Sequence, residues 1–139
     1  MKSAISLLEL EANMLCVALT EEKLQKFALY LSLLLEWNKK INLTAIKDTE
    51  QIIIKHFADS LSLLQYMDIP KNAAVIDVGT GAGFPGIPLA IARPDIRLML
   101  LDSLGKRMMF LQTVVQRLSI AAQTLHARAE EAGQKQQYR

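Results

Sequence analysis

Residues Asp77 to Gly86 read D-V-G-T-G-A-G-F-P-G, after the apolar run Ala73 to Ile76 and before Ile87 to Ala92. Strand, glycine-rich loop and helix in that order are the setting a nucleotide-cradling loop requires. Gly79, Gly81 and Gly83 alternate, so the backbone can turn through positive φ and approach a ligand with no Cβ in the way. The free amides of the following helix are expected to face an anionic or carboxylate group. Asp77 lies at the end of the first strand and Asp102 at the end of the next, which sets two accepting carboxylates around the bend. Taken singly, Asp77 reads equally as a strand-end turn residue and Asp102 as a helix N-cap. A P-loop is excluded, because Ile87-Pro88 stands where Lys-Ser or Lys-Thr is needed. The dinucleotide pattern G-x-G-x-x-G fits Gly81, Gly83 and Gly86 only by starting well beyond the strand. Pro85 and Pro88 fall in or beside the first helical turn, where a missing N–H costs little. Phe84 must pack, either on a bound ligand or on the core, and both readings stay open.

The elements that position this loop follow from periodicity. Ile5, Leu8, Ala12, Leu15 and Leu19 predict an amphipathic helix from Ser3, its N-cap, to Leu19. A second helix starts after Thr20, with Glu21 and Glu22 favouring its dipole, a core face of Leu24, Phe27, Ala28, Leu31, Leu34 and Leu35, and an end near Trp37 or Lys40. A third runs from Thr49 to Tyr66, and Pro70 ends the helical part. The chain thus divides into a helical extension, 1–70, and an α/β part, 71–139. In the second part a strand, the loop and a helix to Arg93 lead to a turn at Arg93-Pro94-Asp95. A strand from Ile96, a helix over Gly105 to Leu118 and a third strand over Gln123 to Ala127 follow. Alternation of this kind predicts a parallel sheet. Open α/β nucleotide folds carry about five to seven strands, so the three seen here are an incomplete sheet: a piece of a longer protein, or a chain that self-associates through its open edge. The fragment is the favoured reading.

Composition bounds the rest. The chain has 139 residues, 51% hydrophobic and 22% charged, which suits one domain with a real core. A net charge of +2 does not by itself imply nucleic acid. Residues 1–70 hold seven basic and nine acidic side chains and residues 71–139 hold nine and five, so the loop half is the basic half. Cys16 is the only cysteine, which excludes an internal disulfide and suits a reducing, cytoplasmic setting; its apolar surroundings predict a small buried hydrophobe. Glu9 and Glu11 interrupt any signal-peptide core, and no run of about 18 apolar residues predicts a membrane span.

An acid at a strand end followed by G-x-G-x-G, here Asp77, Gly79, Gly81 and Gly83, resembles the first motif of the class I S-adenosylmethionine-dependent methyltransferases. The resemblance implies that Asp77 meets the methionine ammonium of that cofactor and that Asp102 holds both ribose hydroxyls. The stretches Trp37 to Thr44, His56 to Leu61, Asp77 to Gly86 and Leu101 to Arg107 together resemble one family more closely: the bacterial 16S ribosomal RNA guanine-N7 methyltransferases, also called glucose-inhibited division protein B. That likeness runs from Trp37 to Glu130. It implies a Rossmann-like class I sheet with an N-terminal helical extension, Gly79 and Phe84 lining the cofactor, and Ala129-Glu130 flanking its adenine. Asn42, His56 and Asp59 are polar residues in apolar helices, which reads as buried hydrogen-bonding groups; the resemblance implies that they border the cleft. The implied substrate is a guanine of 16S rRNA, in bare RNA or the small ribosomal subunit. N7 carries a lone pair and no proton, so no general base is needed, no catalytic residue is assigned and no metal set is expected. Arg93, Arg97, Lys106, Arg107 and Arg128 are the candidate phosphate contacts, with Arg93 and Arg117 as readily solvated helix residues. The family has an arginine beside the cofactor after a fourth strand; Arg139 does not occupy that position. Two alternatives stay open: methylation of another substrate, and a non-catalytic cofactor- or partner-binding fragment.

Overall fold

The computed structural model describes residues 2–127. Arg128, Ala129 and Glu130 of the sequence reading lie outside them. Helices α1 (Lys2–Met14) and α2 (Glu21–Asn38) lead to a continuous helical stretch. It consists of α3 (Thr49–Ile52), a π-helical segment (Ile53–Ala58) and α4 (Asp59–Tyr66). Strand β1 (Ala74–Val78), helix α5 (Gly86–Ala92), strand β2 (Arg97–Asp102), helix α6 (Gly105–Leu118) and strand β3 (Ala122–His126) complete the described chain. The strands form one parallel sheet in the order β1-β2-β3. Val78 pairs with Leu101 and Asp102 with His126, so the glycine loop and Asp102 lie together at the carboxyl ends of the strands.

Capping fixes the helix starts. Thr20 accepts from the Lys23 amide at 3.3 Å and Asp48 from the Gln51 amide at 3.2 Å, each satisfying one otherwise unpartnered first-turn donor. Four features depart from the sequence expectation. α1 stops at Met14, not Leu19, because Cys16 takes the left-handed conformation (φ 60°) that closes a helix. Cys16 is therefore exposed instead of packed in an apolar face. Ser3 lies inside α1 and does not cap it. Asn42 sits exposed in the loop after α2 and Asp59 is also exposed. The buried amide is Asn38, whose Oδ1 accepts from the Leu43 and Thr44 amides at 2.9 and 3.2 Å, and whose Nδ2 donates to the Thr44 carbonyl.

A single core joins the two parts of the chain. Leu8, Phe27, Tyr30, Ile53 and Phe57 from the helical extension pack with Ile87, Leu100, Phe110 and Val114 from the α/β part. The α2 helix also reaches the end of α5 directly, where Lys23 Nζ donates to the Ala92 carbonyl at 2.9 Å. That core lies on one face of the sheet. On the other, Ile76 and Val78 of β1 remain 36% and 53% exposed, whereas Leu101 of β2 is buried.

Candidate functional site

Strand pleat puts the two carboxylates on one side. Asp77 pairs with Leu100, and Asp102 follows Leu100 by two residues, so Asp77, Leu100 and Asp102 share a sheet face. This is the face turned towards α5 and α6, and Asp102 is 2% exposed.

Asp77 ties the loop into a ring. Its Oδ2 accepts from Thr80 Oγ1 at 2.6 Å and from the Gly86 amide at 2.9 Å, linking the start of the bend to the start of α5. The first amide of α5 is thereby taken by the chain's own carboxylate, contrary to the expectation that it faces a ligand. Burial pushes the Asp77 carboxyl above its ordinary value, against the bonds from Thr80 and Gly86 that favour its charged form; the nearby Asp102 pushes it up further. Asp102 answers from the next strand. Its Oδ2 accepts from the Gly81 amide at 2.9 Å and from Arg107 Nη1 at 3.3 Å, while Oδ1 accepts from the Leu104 amide at 2.9 Å. It thus orders the bend and the entry to α6, although Leu104 is the N-cap residue.

The glycines divide their labour. A Cβ at Gly79, where φ is +67°, meets nothing within 4 Å, so the bend there faces open space. At Gly83 a Cβ would lie 2.5 Å from Ile87 Cδ1 and 2.7 Å from Tyr30 Oη, and at Gly86 it would lie 2.8 Å from Asp77 Oδ2. Gly79 leaves room for a ligand, whereas Gly83 and Gly86 leave room for the protein itself.

Tyr30 is the residue the sequence reading missed. It is fully buried and its hydroxyl donates to the Ala82 carbonyl at 2.6 Å, so α2 holds the middle of the loop. Burial, and then the Asp77 charge, raise its pKa well above the ordinary value and keep it a donor. The signal was present: Phe27, Tyr30, Leu31 and Leu34 follow one helical stripe. Phe84 packs into the same aromatic group. Its ring centroid lies 5.7 Å from Tyr30, 5.9 Å from Phe57 and 4.3 Å from His56, the last at an interplanar angle of 9°. The core reading of Phe84 therefore holds for this part of its surface.

The basic candidates separate. Arg107 reaches over the bend, 3.8 Å from a Cβ placed on Gly81, and Lys106 is exposed beside it at the start of α6. Arg93 follows α5 and Arg97 begins β2, both at the opposite end of the sheet. Arg93 is committed to Asp95 through two 2.8 Å bonds and to the Ile69 carbonyl. That fork holds the Asp95 carboxyl well below the usual range. A groove of about 670 Å³ along Ala74 to Ile76, Arg97 to Met99 and Ile120 to Gln123 is also at that far end, where open α/β sheets do not place ligands.

The acceptor set suits a ligand that brings its own donors, such as an ammonium and paired hydroxyls. One oxygen of Asp77 accepts no bond from the described residues, Asp102 offers further acceptor capacity, and space lies beside Gly79, while most loop amides are already taken and offer no phosphate cradle. A family model described as rRNA small subunit methyltransferase G (GidB) matches residues 23–139. Proteins named ribosomal RNA small subunit methyltransferase G are similar over most of the chain. The Acetivibrio thermocellus protein is 53% identical over 124 residues, 88% of this chain and 51% of its own length. Those of Desulforamulus reducens and Clostridium perfringens strain SM101 are 51% and 52% identical over 87% and 86% of this chain, and 51% and 50% of their own lengths. The chain spans about half the length of the curated relatives it matches.

Proposed function

This chain belongs to the GidB family of rRNA small subunit methyltransferases, and on that premise we propose that it carries the S-adenosylmethionine-binding part of an enzyme that methylates guanine N7 in 16S rRNA. The observation that carries the reading is the pair Asp77 and Asp102 on one sheet face, on either side of a bend that opens to space at Gly79. Asp77 receives the ammonium on the oxygen left free by Thr80 and Gly86. Asp102 receives the ribose hydroxyls. Three protein donors already use its oxygens, and a carboxylate has about four acceptor sites. Arg107 makes the longest of those three contacts, and its side chain is 35% exposed, so it is the donor that yields to the second hydroxyl. Its guanidinium, with Lys106, then faces RNA phosphate at the mouth of the site.

When bound, the cofactor supplies an electrophilic sulfonium methyl. The chain's residues contribute position: carboxylates at two strand ends fix the two ends of the ligand, and alignment of this kind lowers barriers by up to about 7–11 kcal/mol. Ala129 and Glu130 complete the adenine side in this reading. The substrate is the small ribosomal subunit or its bare RNA, which implies a cytoplasmic setting; among the described residues no helix is long and apolar enough to cross a membrane. Self-association through the outer edge of β1, which has no strand partner among the described residues, is the second kind of contact the sheet permits.

Titration calorimetry with S-adenosylhomocysteine tests the cofactor reading. Asp102→Ala removes hydrogen bonds to a charged acceptor, each worth about 1.5–3 kcal/mol, so affinity is expected to fall by at least tenfold. Unchanged affinity removes Asp102 from the ribose.

A further inference from the structure

His56 lies within the π-helical segment Ile53–Ala58 and is half-buried. A wider helical turn re-aims the side chains within it, and such turns recur at functional sites. Here it sets the imidazole flat on Phe84, with centroids 4.3 Å apart and planes 9° from parallel. The edge of the same ring is fixed, because His56 Nε2 lies 2.8 Å from Thr44 Oγ1. Thr44 is itself held. Its Oγ1 accepts from the Ile46 amide at 3.1 Å, and its backbone is clamped at both amide and carbonyl by Asn38. A chain of contacts thus runs from Asn38 at the end of α2, through Thr44 and His56, to Phe84 beside Gly83 in the glycine loop. Tyr30 and Phe57 meet the Phe84 ring at tilts of 42° and 50°, and only His56 stacks flat on it.

We propose that His56 is a positioning residue for the cofactor pocket, holding the Phe84 ring in the one orientation that walls the adenosyl group. An apolar side chain would fill the same volume, but it would lack the Thr44 bond that fixes the rotation of the stacked ring. Burial lowers the pKa of the imidazole, and only the Asp59 carboxylate opposes the shift; Tyr30, the titratable group packed on Phe84, has its own pKa raised and stays neutral. The stacked ring is therefore uncharged at neutral pH. This role rests on the cofactor reading above, and one arm of the test is independent of it.

The test uses the 139-residue chain with His56→Ala, His56→Phe and Thr44→Val. Phe84 is selectively observed by aromatic proton–carbon NMR without ligand, and S-adenosylhomocysteine affinity is measured by calorimetry. In His56→Ala the Phe84 ring signals lose their ring-current displacement, and affinity falls roughly three- to tenfold, the scale of one aromatic pair. His56→Phe restores the ring-current displacement, which a general loss of stability would not produce, but without the Thr44 bond it leaves the Phe84 signals broadened and the affinity only partly recovered. Thr44→Val broadens the Phe84 signals without displacing them fully, and it carries the test should His56→Ala not fold. Phe84 signals that superimpose on the parent's in His56→Ala and Thr44→Val overturn the proposal whatever the ligand does. Displaced Phe84 signals with unchanged affinity overturn the link to the pocket. If Phe84 responds as stated but the parent chain binds no S-adenosylhomocysteine, the cofactor reading fails and the role assigned to His56 in the pocket fails with it. The His56–Phe84 coupling itself would then still stand.

Discussion

At the scale of single residues, two glycines in one loop do different things and should fail differently. Gly79→Ala incurs only the left-handed penalty of about 1–2 kcal/mol, because its Cβ enters open space. Gly83→Ala meets both Ile87 and the Tyr30 hydroxyl inside 3 Å, and Tyr30 is not free to move while it holds the Ala82 carbonyl. Urea unfolding should therefore rank Gly83→Ala as the less stable variant, with Gly79→Ala showing its larger effect in cofactor affinity. The reverse ranking would mean that the bend faces the protein at Gly79. Titration gives a second test. The folded His56 has a lowered pKa, so as pH falls through about 6.5 the unfolded chain takes up a proton that the folded one resists. Stability should decline from pH 8 to pH 6 and level off below the folded value. Asp77, raised in the fold, acts in the opposite sense at lower pH: the folded chain is protonated first, which stabilises it as pH falls towards 3.8. Urea unfolding of His56→Gln should lose the decline between pH 8 and pH 6; an unaltered slope would place its cause elsewhere.

At the scale of elements, the helical extension is part of the site. Removing the hydroxyl in Tyr30→Phe leaves the Ala82 carbonyl, buried beneath α2, without its donor. An unsatisfied buried polar group costs about 1–3 kcal/mol. Equilibrium unfolding should show that loss, and cofactor affinity should fall with it because the loop's middle is released. Affinity unchanged alongside the stability loss would confine Tyr30 to the core. How much of this was legible depended on range. The strand–loop–helix unit and the two strand-end acids are local patterns, and they read directly from Asp77 to Gly86 and Asp102. Phe84 against His56 and Tyr30 against Ala82 join residues far apart in sequence, where periodicity names a buried face but not what it touches. Asn38 and Asn42 are both polar residues beside apolar ones, and only the turn after α2 decides that the Asn38 amide folds inward. The end of α1 depended on Cys16 adopting positive φ, a role that glycine or asparagine would have announced.

At the scale of the whole molecule, one face of the sheet carries the two carboxylates, and the other exposes Ile76 and Val78 along β1. The outer edge of β1 has no partner among the described residues, and an apolar sheet face with a free edge is a surface that seeks cover. Ile76→Lys with Val78→Lys should reduce binding of 8-anilinonaphthalene-1-sulfonate by the 139-residue chain. It should change stability by no more than about 0.5 kcal/mol per site, because neither side chain is in the core. A larger loss would mean that these two side chains are packed in the folded chain. The same exposed surface bears on activity. Transfer needs a site walled on all sides, so that methyl and acceptor stay aligned and water stays out, yet the described residues supply only the side formed by β1, β2 and the glycine loop. The 139-residue chain is accordingly expected to bind S-adenosylhomocysteine while transferring no tritiated methyl to 16S rRNA or to small ribosomal subunits. A full-length relative such as the Acetivibrio thermocellus protein serves as the positive control. Transfer above background by the short chain would show that these few elements enclose the reacting groups unaided, and the two-sided division of the sheet would then have no bearing on catalysis.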